Sequence, residues 1–87
     1  MTEQNNKLEA SFSTLILSIG SSAAISLGMA PNPSSGKIEK NPQMARFNID
    51  LLLTLKEKTR NNLDADENRF LESLIADLQM HYVQSQQ

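Results

Sequence analysis

The sequence predicts an all-α fold: a three-helix bundle with a turn-rich loop between the first and second helices, completed by dimerisation. Three observations carry this reading. Apolar residues recur at three- and four-residue spacing in three separate segments. Helix-start and helix-stop signals fall between those segments. Sustained alternation of the strand kind is missing, and β-branched residues outside the helical period are few.

The elements follow in chain order. Residues 1–8 read as a disordered polar lead, residues 9–84 as a single helical domain and residues 85–87 as a frayed tail. A first helix is expected to begin near Glu9 to Ser11 and run to Leu27. Gly28 takes the place of a left-handed terminating residue, and Pro31 blocks a restart. The stretch from Met29 to Asn41 is a loop, with Pro31, Pro33, two serines and Gly36. Asn41 followed by Pro42 is an N-cap with proline at the first helical position. The second helix then runs to about Arg60, with Lys56, Lys58 and Arg60 near its negative dipole end. Asp64 and Glu67 form a capping box, and the third helix reaches about Val83.

The three apolar faces differ in width. The third helix has one stripe of Phe70, Leu71, Leu74, Ile75, Leu78 and Tyr82. The second is lined by Met44, Phe47, Leu51 and Leu55, and Ala45, Ile49, Leu52 and Leu53 widen that side past half the circumference. It therefore reads as the central helix. The first helix has a main stripe of Phe12, Leu15, Ile16, Ile19, Ala23 and Leu27, with a small-residue edge at Gly20 and Ala24. Its other side holds Ser11, Thr14, Ser18, Ser21 and Ser22, with Ile25 among them. No charged residue occurs from Ala10 to Gly36. A hydroxyl can return its hydrogen bond to the carbonyl one turn back, so such a side can be covered at modest cost where Lys or Glu could not. Three helices cannot enclose two of their own members. A second copy, or a different protein partner, supplies the missing surface. The interface residues this reading selects are Phe12, Leu17, Gly20, Ser21, Ala24, Ile25, Asn48 and Leu53. Asn48 lies among leucines, where it either fixes the register of packed helices or stands at a wet margin.

Composition excludes several function classes. The 87 residues make one domain with net charge −2, and the charges are mixed, so there is no basic stripe for nucleic acid. There are no cysteines, hence no disulfide or zinc-thiolate site, which fits a reducing cytoplasm. The balanced charges of Glu3, Lys7 and Glu9 do not resemble a secretory signal. The uncharged run is long enough to span a bilayer, but it is rich in Ser and Thr and has no aromatic belt. Shallow lipid contact through Phe12, Leu15 and Ile16 is the alternative to a protein interface.

Chemical motifs are weak. His81 follows Asp77 by one turn, and the helix terminus accounts for the pair without partners for a metal or nucleophile site. Ser34 to Lys37 reads SSGK, but Pro31 stands where a phosphate loop needs glycine and Ile38 replaces its Ser or Thr. Asp64, Asp66 and Glu67 are explained by capping. Arg46 and Asp50 are spaced for a surface ion pair. The chain is accordingly expected to be a non-catalytic interaction module with no cofactor and no metal.

Three ordered motifs also resemble a known family. They are F-S-x-L at Phe12–Leu15, I-D-L-L at Ile49–Leu52 and K-T-x-x-N-L at Lys58–Leu63, joined by the loop PNPSSGK. Over residues 10–83 the sequence resembles the bacterial family called domain of unknown function 1844. The resemblance implies a small, mostly helical bacterial protein and supplies no activity.

Overall fold

The computed structural model describes residues 9–86, so the expected lead at residues 1–8 and the last residue of the expected tail lie outside it. Three helices follow one another: α1 (Phe12–Ser26), α2 (Pro42–Lys58) and α3 (Ala65–Ser85), with no strand among the described residues. The three-helix bundle expected from the sequence, with its turn-rich loop between the first two helices, is observed.

Helix ends follow from local chemistry. Ser11 caps α1, its Oγ accepting from the Thr14 N–H at 3.1 Å. The other end closes as a Schellman turn. The Gly28 N–H donates to the Ile25 carbonyl at 3.0 Å and the Met29 N–H to the Ala24 carbonyl at 2.9 Å. This turn requires Gly28 at φ +83°, where a side chain would be strained. Asn41 caps α2 by accepting from the Met44 N–H at 3.1 Å, with Pro42 opening the helix. In the capping box of α3, Asp64 accepts from the Glu67 N–H at 2.7 Å, while Glu67 accepts from the Asp64 N–H at 3.1 Å. α2 ends at Lys58 rather than Arg60, and Asn61 adopts φ 69° in the connection, a conformation Asn tolerates better than most residues. α3 continues to Ser85, two residues past the expected end. Nothing after Val83 breaks a helix, and the Ser85 hydroxyl bonds the Tyr82 carbonyl at 2.8 Å.

The loop brings α2 back alongside α1. The Asn32 side chain accepts from the Ser34 N–H at 2.8 Å, and its amide donates to Glu39 at 3.1 Å. The Asn41 N–H then donates to the Ser26 carbonyl at 2.8 Å, which fixes the start of α2 beside the end of α1. The two helices therefore run antiparallel. α3 also runs against α2: Glu72 lies 3.8 Å from Lys56, while Tyr82 and Val83 share a cleft with Arg46 and Ile49.

The molecule measures 38 × 35 × 15 Å. Helix axes pack 8–10 Å apart, and each backbone cylinder adds about 2 Å of radius on either side, so 15 Å holds two helical layers. One layer is the α1–α2 pair and the other is α3. The core lies between them, with Ile16 and Ala23 from α1, Ala45, Ile49 and Leu52 from α2, and Leu71, Ile75 and Leu78 from α3. Leu27 closes it at the end of α1, and Phe12, Ile19, Leu55, Leu63, Leu74 and Tyr82 pack on its margin.

Two sequence expectations change here. The line of α2 that enters the core is Ala45, Asn48, Ile49 and Leu52, not Met44, Phe47 and Leu51; Phe47 remains 55% exposed. An apolar arc wider than half a helix leaves its inward direction undetermined, and the position of α3 decides it. The second correction concerns Gly20, which the sequence reading gave to a second copy. It is buried under the same chain's own Leu74, and a Cβ at this position would lie 2.8 Å from Leu74 Cδ2.

Unfolding free energies test the cap of α3 and the packing at Gly20. Asp64→Ala removes one half of the capping box and is expected to lower unfolding free energy by about 1 kcal/mol in urea titration. Gly20→Leu is expected to destabilise the chain by about 1–3 kcal/mol through overpacking against Leu74. Gly20→Ala is expected to sit much closer to wild type, because its gain in helix propensity, about 1 kcal/mol, offsets a small shift of Leu74.

Candidate interaction surface

α3 covers one side of the α1–α2 layer, and the opposite side is left bare. On α1 the bare side carries Leu15, Ser18 and Ser22; on α2 it carries Met44, Phe47 and Leu51. Each trio is spaced i, i+3, i+7, which places it on one helical face. Leu15, Met44 and Phe47 are 48%, 46% and 55% exposed, Leu51 is half-buried, and both serines are exposed. The Ser18 hydroxyl donates to the Thr14 carbonyl at 3.0 Å, the back-bonding that satisfies a hydroxyl without water. α1 contributes no charge to this face. On α2 the one charge in line with this face is Lys58, seven residues after Leu51 at the helix end, while Arg46 and Asp50 pair with each other at 3.7 Å and line the α3 side. The pair is well exposed and so adds little stability.

The eight residues selected from the sequence do not form one surface. Gly20 is buried beneath Leu74, and Phe12 packs half-buried on the core. Asn48 is buried with its Nδ2 donating to the Met44 carbonyl at 3.0 Å. Leu53 is on the α3 side of α2, in the cleft shared with Tyr82 and Val83. Leu17 and Ser21 are exposed and Ala24 half-buried, on the flank of α1 next to Gly20. Ile25 is half-buried at the loop end of α1, beside Met44 and Asn48. Sequence reasoning put Leu15, Met44 and Phe47 on the main apolar stripes of the first two helices and did not select them for a protein interface. The shared i, i+3, i+7 spacing on α1 and α2 was the signal that could have shown them as one patch.

Three clefts are prominent among the described residues. The largest, about 660 Å³, lies at the α2–α3 connection and is lined by Lys56, Glu57, Arg60, Asn68 and Glu72 among others. Its charges are exposed and already paired, Lys56 with Glu72 at 3.8 Å and Arg60 with Glu57 at 2.5 Å. The second, about 470 Å³, is the α2–α3 groove beside Arg46 and Asp50. The third, about 420 Å³, opens at the loop end of the bare face between Ser22, Ile25, Ser26, Asn32, Pro33, Met44 and Asn48. His81 is half-buried near the end of α3 and Asp77 is exposed. Among the described residues no group of three or more His, Asp or Glu side chains is placed to hold a metal ion.

A buried amide whose one bond in the chain returns to its own helix contributes little to stability. Asn48→Leu is therefore expected to keep or raise unfolding free energy, by up to about 1 kcal/mol, in urea titration. A loss above about 2 kcal/mol would instead show that the amide is needed for folding.

No helix among the described residues is long and apolar enough to cross a membrane. No curated protein and no solved structure matches the chain significantly. One family model does match, over residues 9–84, from just before the cap of α1 to within the last turn of α3. The expectation drawn from F-S-x-L, I-D-L-L and K-T-x-x-N-L is thus met across the whole helical unit, and the chain belongs to the family described as domain of unknown function, DUF1844.

Proposed function

We propose that this protein is a non-catalytic interaction module that works as a cytoplasmic homodimer, two copies meeting through the α1–α2 face opposite α3. The observation that supports it is the bare face itself: exposed Leu15, Met44 and Phe47 set among hydroxyls, with no charge on α1. A twofold contact sets residues near the axis against their own copies, so a charged patch would repel itself there and this one does not. Helices of 15 and 17 residues are about 22 and 25 Å long, and two of them side by side present about 500 Å². Two copies would then bury on the order of 1,000 Å², which is where specific interfaces begin. Absence of cysteine suits a reducing compartment.

The wild-type chain is expected to run as a dimer at tens of micromolar in size-exclusion chromatography with light scattering. Phe47→Glu is expected to run as a monomer, with its unfolding free energy within about 0.5 kcal/mol of wild type because the side chain is already largely exposed. A wild-type monomer at that concentration overturns the homodimer. If the wild type instead floats with lipid vesicles and Phe47→Glu does not, the face serves lipid rather than a second copy.

A further inference from the structure

We infer that the cleft at the loop end of α1 and α2 is a binding site for an uncharged aromatic molecule that carries a hydrogen-bond donor, of the phenol or indole class. Its walls are apolar, built from Ile25, Pro33 and Met44. Its floor is polar. Ser26 and Asn48 both line the cleft, and they are only 8% and 7% exposed. The Asn48 amide is oriented by its Nδ2, which donates to the Met44 carbonyl at 3.0 Å. That bond leaves Oδ1 as an acceptor, and among the described residues neither it nor the Ser26 hydroxyl has a hydrogen-bond partner. The Asn32 amide at the rim is occupied, its Oδ1 accepting from the Ser34 N–H and its Nδ2 donating to Glu39.

Buried acceptors without partners are costly, and a donor that reaches them recovers that cost. Asn48 Oδ1 can only accept, so it selects a ligand with an O–H or N–H, while the Ser26 hydroxyl can accept from or donate to the same group. The apolar walls select a flat, greasy body, and with no charged side chain lining the cleft an ionic ligand would go uncompensated. The cleft, about 420 Å³, is shallow and open to solvent, so it would seat one face of a single ring rather than enclose a larger molecule. A leucine at position 48 would extend the leucine-rich face of α2 without a polar group to satisfy, so the asparagine makes sense as a recognition group.

The cleft shares Ser22 and Met44 with the proposed dimer face, and the test separates the two. Phenol and toluene are titrated into wild type and into Phe47→Glu, which opens the face without touching the cleft, with amide shifts read by NMR. Phenol is expected to saturate shifts at Ser22, Ile25, Ser26 and Asn48 in Phe47→Glu, and to bind about tenfold tighter than toluene. Asn48→Leu is expected to abolish that preference while remaining folded, and Ser26→Ala to reduce it. Equal binding of phenol and toluene, a preference retained in Asn48→Leu, or shifts that never saturate would each overturn the site and leave water as the occupant of its floor. Binding to Phe47→Glu but not to a dimeric wild type supports the site and places it under the dimer contact.

Discussion

The architecture depends on the close approach of α3 to α1 at a position where only a small residue fits. Gly20 lets Leu74 of α3 come down onto the α1 backbone, and there the second helical layer meets the first. From that contact the rest of the layering follows. Leu71, Ile75 and Leu78 are carried onto Ile16, Ile49 and Leu52, and Glu72 is brought beside Lys56. A single helix can cover only one side of a helix pair. The seating of Leu74 therefore both closes the core and leaves Leu15, Met44 and Phe47 facing out.

The exposed side of α1 is unusual in chemistry rather than in hydrophobicity. A helix that permanently faces water normally carries charge, which keeps proteins soluble and apart. α1 carries none, and its serines can satisfy themselves against their own helix, as Ser18 does against Thr14. Such a surface tolerates both water and cover. That dual tolerance is what a reversible contact needs, and it supports the dimer reading.

Asn48 and Ser26 stand apart from that surface although they lie close to it. They are buried polar groups in a small core, at the point where the loop ties Asn41 back to the Ser26 carbonyl. The loop builds one wall of the cleft with Pro33, and the antiparallel return of α2 builds another with Met44. The hydrogen bond that sets the course of the chain thus also assembles the cleft, so recognition there is coupled to the fold rather than added on a mobile edge.

The sequence by itself determined the helices and their ends. Ser11, Asn41–Pro42 and the Asp64–Glu67 box state where each begins, and Gly28 states where α1 stops, because caps and left-handed turns are local chemistry within a few residues. It also showed that α1 and α2 carry more apolar arc than one core can use. What it left open was the direction each wide arc would face. Met44, Phe47 and Leu51 are as apolar as Ala45, Ile49 and Leu52, and periodicity treats them alike. Only the docking of α3 chose between them, since burial depends on which neighbour arrives and from which side. Gly20 is the same case: the sequence marks it as a place for close approach, and the tertiary structure alone reveals that the visitor is Leu74.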